Sequence, residues 1–135
     1  MRELDHPHIV KVLDVLEDDE NVYIAQELMR HGNLYEVLTR LEESGRKLTE
    51  SEIARIVYQV LMAINYIHAS SIFHRDLKLE NVMVDIKHEA GPDGTEEHSI
   101  CCKLADFGFA TWIASAPKVQ ILGAPLYMAP EVHAR

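Results

Sequence analysis

The sequence predicts an α+β fold, and three observations carry that prediction. Apolar and polar residues alternate over 9–28 with a turn in the middle. A capped helix of strong 3.6-residue periodicity occupies 50–69. Two short apolar strands, 81–86 and 100–105, follow it and enclose a polar segment. The chain of 135 residues is long enough for one modest domain, and its hydrophobic fraction of 47% is that of a globular protein.

Each element has a local cause. "IVKVLDVL" (9–16) alternates and reads as a strand, "DDEN" (18–21) as a turn, and "NVYIAQEL" (21–28) as the return strand of a hairpin. "HGN" (31–33) breaks the pattern. "NLYEVLTRLEESG" (33–45) then reads as a short helix ending at Gly45. "TESE" (49–52) is a capping box in which Thr49 bonds the first turn and Glu52 reaches back. Ile53, Ile56, Val57, Val60, Leu61, Ile64 and Ile67 follow at helical spacing. "NVMVDI" (81–86) and "ICCKLA" (100–105) are the short strands, and "KHEAGPDGTEEHS" (87–99) reads as a solvated surface insertion. No internal repeat or low-complexity tract is visible.

Charge and cysteine usage narrow the function classes. A formal net charge of -9 argues against a nucleic-acid partner, which would need a basic face. It leaves a nucleotide open, because bound cations can supply positive charge. The two cysteines, Cys101 and Cys102, are adjacent and point to opposite faces of a strand, which disfavours a disulfide and fits a reducing, intracellular setting. The N-terminal segment is not a signal peptide, and no stretch approaches membrane-spanning length, so no membrane partner is expected. The remaining histidines (His6, His8, His31, His68, His88, His98 and His133) show no metal-ligand spacing.

The chemistry concentrates in "HRDLKLEN" (74–81), which is too polar for a core strand and has no helical apolar face. Asp76 and Asn81 flank a loop leading into one strand, and Asp106 follows the next. If the two strands are antiparallel neighbours, Asn81 and Asp106 come side by side. A carboxylate and a carboxamide are hard oxygen donors suited to magnesium. Lys78, two residues from Asp76, can neutralise a phosphate oxygen while the carboxylate accepts a hydroxyl proton. These pieces suggest phosphoryl transfer to a hydroxyl.

"HRDLKLEN", "ADFG" (105–108) and "APE" (129–131), in this order and spacing, resemble the eukaryotic protein kinases. The resemblance runs along nearly the whole chain, and "HRDLK" resembles the serine/threonine branch. "LEN" and "DFGFA" are similar to the calmodulin-dependent and AMP-activated kinases, and "GAPLYMAPE" to the autophagy-initiating ones; neither subfamily is chosen. The resemblance implies a protein-kinase-like α+β fold in its middle portion: the end of the small lobe and the hinge over 1–32, then the start of the helical large lobe with catalytic and activation loops over 33–135. It implies ATP and Mg2+ as cofactors and a protein substrate. Asp76 would orient and accept the substrate hydroxyl, Lys78 would meet the transferring phosphate, and Asn81 and Asp106 would hold magnesium. Gln26 would stand behind the adenine pocket. Glu27 and Met29 would offer backbone groups to the adenine edge, and Met83 would form the floor. His74 would pack beneath Phe107, and Arg75 would receive a phosphorylated activation loop. The setting would be intracellular and cytoplasmic, with the nucleus also open.

The sequence also departs from that pattern. The glycine-rich loop, the strand lysine and its helix glutamate are expected before the first residue, and the buried large-lobe helix after the last. Ala124 stands where the family usually carries threonine or serine, and "PKVQIL" (117–122) has no hydroxyl for an activating phosphate. Thr111 and Ser115 lie nearer the start of that loop. Three readings therefore remain: an active kinase segment, a pseudokinase or truncated form that binds a partner supplying the missing kinase surface, and an incomplete gene model.

Overall fold

The computed structural model describes residues 4–90, 96–112, 114 and 123–133, with the backbone alone at 88–90, 96–97 and 133. Strands β1 (Val12–Glu17) and β2 (Val22–Gln26) form the expected antiparallel hairpin. Asp18 shapes its turn: Oδ1 accepts the N–H groups of Glu20 at 2.9 Å and Asn21 at 2.8 Å. The first strand begins later than the alternation suggests, because the preceding residues pair elsewhere. Ile9 makes a parallel bridge with Leu104, Val10 N–H donates to the Leu104 carbonyl at 2.9 Å, and Leu104 N–H donates to the His8 carbonyl at 2.9 Å.

Two helices follow, each started by a capping box. Asn33 and Glu36 exchange side-chain and backbone bonds at the head of α1 (Leu34–Glu43), and Thr49 and Glu52 do so at α2 (Glu50–Ala69). An N-cap of this kind contributes about 1 kcal/mol. Helix α2 buries Ile56, Gln59, Ala63 and Ile67. Ile53, Val57 and Leu61, from the same periodic set, stay 48%, 49% and 57% exposed, so the apolar stripe is wider than the described residues cover.

A two-residue strand β3 (Ile72–Phe73) leads into the "HRDLKLEN" loop, which closes in a 3-10 turn at Leu79–Asn81. The second hairpin, β4 (Val82–Ala90) with β5 (Glu96–Leu104), then lies on α2. Its register runs from Val82 opposite Leu104 to Ala90 opposite Glu96. Much of the segment expected as a loop is therefore strand. Beyond Ile86 and Ile100 the core that covers the proximal half gives way, so backbone pairing continues without an apolar face to advertise it. Strand β6 (Thr111–Trp112) pairs with β3, and a 3-10 turn at Pro125–Tyr127 precedes the short helix α3 (Pro130–His133).

Gln59 fastens the second hairpin to α2. Its Nε2 donates to the Ile100 carbonyl at 2.9 Å, and its Oε1 accepts the Cys102 N–H at 2.7 Å. Leu34, Val37, Ile56, Val82, Val84 and Cys102 pack around this contact. A second cluster joins Ile9, Ala63, Ile67, Leu104 and Phe107, and a third joins Val10, Met29 and Ala105 with Met83 beside them. Both cysteines are free thiols, and burial pushes the Cys102 thiol up to about 12. Among the described residues no helix is long and apolar enough to cross a membrane.

Candidate active site

The loop between β3 and β4 turns its polar side chains inward. Asp76 is only 3% exposed and Asn81 5%, in a chain whose other carboxylates are mostly at the surface. Asn81 Nδ2 donates to the Asp76 carbonyl at 2.8 Å and to Asp76 Oδ2 at 3.0 Å. Lys78 Nζ lies 2.8 Å from the same Oδ2. The other carboxylate oxygen, Oδ1, accepts the Ala124 N–H at 3.1 Å. Burial alone would raise the Asp76 carboxyl, but the Lys78 and Asn81 hydrogen bonds, the Lys78 charge and the Ala124 amide together hold it below its ordinary value. The Lys78 ammonium is raised in turn by its bond to Asp76. Asp76 is thus an ionised acceptor at neutral pH. It lies on a cavity of about 320 Å³ that it shares with Arg75, Leu77, Ala124, Tyr127, Met128 and Val132.

Ala124 can reach Asp76 because Gly123 precedes it. Gly123 has φ 102°, and a Cβ there would stand 2.5 Å from the Arg75 carbonyl oxygen. Although Ala124 lacks the hydroxyl usual at that position, its main-chain N–H is a donor to Asp76. Arg75 Nε donates to the Phe109 carbonyl at 2.7 Å, which ties the loop to the start of the segment after "ADFG". The expected phosphate position at 118–122 lies outside the described residues.

The "ADFG" turn is placed by main-chain pairing. Ala105 N–H donates to the Asn81 carbonyl at 2.8 Å, so the residue after the end of β5 follows directly beside the 3-10 turn. Asp106 there is exposed, has φ 55° and accepts the Gly108 N–H on Oδ1 at 3.1 Å. Arg75 has φ 67°. Non-glycine residues in this left-handed region cost about 1–3 kcal/mol each, and such strain gathers at functional sites. Asn81 spends its amide nitrogen on Asp76, which turns its oxygen elsewhere. An amide oxygen on one strand entry and a carboxylate on the neighbouring strand exit fit a hard divalent cation.

His74 is structural. Its ring is 2% exposed, lies 4.9 Å from the Phe107 ring centroid, and contacts the Ala105 carbonyl through Nε2 at 3.0 Å. Asp76 N–H donates to Nδ1 at 3.3 Å, which assigns the proton to Nε2. Burial holds His74 below its ordinary 6.5, although the Ala105 carbonyl and the Asp76 and Asp106 charges oppose this. The folded state then resists a proton that the unfolded chain accepts. The His74 contribution is intact above pH 6.5 and is lost as pH falls from there through the lowered folded value. Between pH 7 and pH 5, wild type is expected to lose more unfolding free energy than His74→Gln, measured by urea titration. Equal losses would show that His74 is not held neutral.

Glu27 and Met29, expected at the adenine edge, lie on the segment between β2 and α1. Glu27 follows β2, its N–H donating to the Lys11 carbonyl at 3.0 Å. Met29 is 8% exposed and packs with Val10, Ala105 and Met83, so Met29 and Met83 share one cluster. Sequence reasoning missed the partner of the Glu27 side chain, Lys103, at 2.6 Å. A groove of about 610 Å³ between α1 and α2 is mainly leucine- and isoleucine-lined and does not include Asp76.

Known proteins share this sequence pattern. Residues 1–135 match the protein kinase domain family. The chain is 38% identical over 133 residues to serine/threonine-protein kinase SIK2 of Gallus gallus, covering 98% of this chain and 15% of that protein. It is 38% identical over 133 residues to the cell cycle serine/threonine-protein kinase CDC5/MSD2 of Saccharomyces cerevisiae, covering 97% and 17%. It is 35% identical over 132 residues to serine/threonine-protein kinase DCLK2 of Mus musculus, covering 98% and 16%. The chain therefore spans about a sixth of the length of these relatives. With its loop, turn and strand pairing in the order the motifs require, the chain belongs to the protein kinase domain family, serine/threonine type.

Proposed function

We propose that the full-length protein transfers the γ-phosphate of ATP to serine or threonine hydroxyls of protein substrates. The observation that carries this reading is the buried, ionised Asp76, held on both oxygens and set on an open cavity. A substrate hydroxyl entering that cavity would give its proton to Asp76 as its oxygen bonds to the γ-phosphorus and ADP leaves. Lys78 would exchange Asp76 for a phosphate oxygen. Asn81 and Asp106 would hold Mg2+, whose charge offsets that of the phosphates when it is bound. Glu27 and Met29 would meet the adenine edge above Met83, with Gln26 behind. Small lobe and hinge over 1–32 and large lobe over 33–135 are the corresponding division, and a cytoplasmic setting fits a protein substrate and free thiols.

Ala124 favours a second reading, a kinase-like module that binds a partner without transferring phosphate, because no side-chain hydroxyl supports Asp76 there. The deciding experiment is the full-length protein with labelled ATP, Mg2+ and serine- and threonine-containing peptides. Incorporation into hydroxyl residues, abolished in Asp106→Ala, is the expected result. ATP binding without any incorporation would establish the second reading.

A further inference from the structure

Glu27 and Lys103 are 76 residues apart in sequence and joined in space. Glu27 Oε1 lies 2.6 Å from Lys103 Nζ and accepts the Lys11 N–H at 2.8 Å. Both side chains are partly buried, Lys103 at 18% and Glu27 at 29% exposure. Burial alone would raise the Glu27 carboxyl, but the Lys103 and Lys11 bonds hold it below its ordinary value. Among the described residues this is the ion pair that joins the segment after β2 to the β4–β5 hairpin; the main-chain bridge of His8–Val10 to Leu104 and the His8 Nδ1 contact with the Cys102 carbonyl at 3.0 Å fasten the segment before β1 to the same hairpin.

The register of the second hairpin gives the pair its meaning. Lys103 stands directly opposite Met83, so both project from one face. Met83 packs against the cluster that holds Met29, and Lys103 holds Glu27, two residues earlier on the same connecting segment. One sheet face therefore grips the Glu27–Met29 segment at two points, one apolar and one ionic. The pair is partly shielded from water and held by a second bond to the Lys11 N–H, so it is more fixed than a fully exposed bridge.

We propose that Lys103 is a positioning residue for the nucleotide: by anchoring the Glu27 side chain it fixes the Glu27–Met29 main chain over Met83, where the adenine edge would bind. This rests on the kinase reading of the hinge. Lys103 itself touches no reacting atom. Its loss frees the segment to sample other arrangements, so nucleotide affinity falls while the Asp76 site keeps its geometry.

The experiment is Lys103→Gln in the full-length protein, read by the Kd for Mg-ATP, by kcat and KM, and by backbone hydrogen exchange. The Kd and KM for ATP are expected to rise roughly 3–10-fold, on the order of one lost partly buried pair, with kcat within about 2-fold of wild type. Amides 27–29 are expected to exchange faster, while Val84, whose N–H bonds the Gly32 carbonyl at 2.9 Å, keeps its protection. The charge-swapped double variant Glu27→Lys with Lys103→Glu is expected to recover most of the ATP affinity. A merely structural pair would lower the melting temperature and leave the Kd for ATP alone; that result overturns the proposal, as does unchanged exchange at 27–29. Wild type that binds Mg-ATP but transfers nothing sinks the kinase reading and leaves this proposal decided by Kd. Wild type that binds no nucleotide sinks both.

Discussion

Asp76→Asn in the full-length protein is expected to lower turnover by at least ~10²–10⁴-fold, the range for loss of a positioned general base. The substitution is nearly isosteric, and with the amide oxygen in the Oδ2 position Asn81 Nδ2 and Lys78 Nζ would keep an acceptor. On the other side an –NH2 group would confront a donor, so local order suffers modestly. The charge is what disappears. A neutral amide takes no proton from the substrate hydroxyl and releases the Lys78 ammonium from its 2.8 Å contact. Because Glu27, Met29 and Met83 lie on other elements, the Kd for Mg-ATP is expected to stay within about 3-fold of wild type, too small a change to explain the lost turnover. The check is single-turnover phosphate transfer at saturating ATP, next to a binding isotherm. Turnover within 10-fold of wild type would remove Asp76 from the role of base.

The elements with a local cause were legible. The Thr49–Glu52 box and the isoleucine–valine–leucine spacing placed α2 at Glu50–Ala69, because a cap and an amphipathic face are written within one short window. The order "HRDLKLEN", "ADFG", "APE" located the Asp76, Lys78 and Asn81 cluster for a similar reason: its members lie within six residues of one another. What escaped was non-local or carried by the backbone. Gln59 reads as a polar interruption of an apolar stripe, yet it is buried and satisfies two backbone groups of β5 across 41 and 43 residues. The Glu27–Lys103 pair has no signal in either neighbourhood. The outer halves of β4 and β5 lack an apolar face, so alternation is silent where main-chain pairing continues. At Ala124 the side chain carries no signal, because the bond to Asp76 runs through an amide that every non-proline residue possesses.

Leu104→Ala is the substitution expected to cost the most stability, about 2–5 kcal/mol, as for large-to-small changes in a core. Leu104 is 0% exposed and packs in one cluster with Ile9, Ala63, Ile67 and Phe107. These neighbours come from the segment before β1, from α2 and from the "ADFG" turn, so no single element can move in to fill the space. The main chain at 104 is fixed as well, bonded on both sides to His8 and Val10 at 2.9 Å. The truncation therefore leaves a cavity rather than a collapse, and the lost contacts add to the lost transfer energy. Phe107 shares the cluster, so the Asp106 turn beside it is expected to loosen as well. Leu126→Ala is the control: that side chain is 96% exposed, and its removal is expected to change stability by less than about 0.5 kcal/mol. Denaturant midpoints of the two variants and wild type, at equal m-values, provide the comparison. If Leu104→Ala shifted the midpoint no more than Leu126→Ala, the cluster that ties α2 to the turn would not be a core.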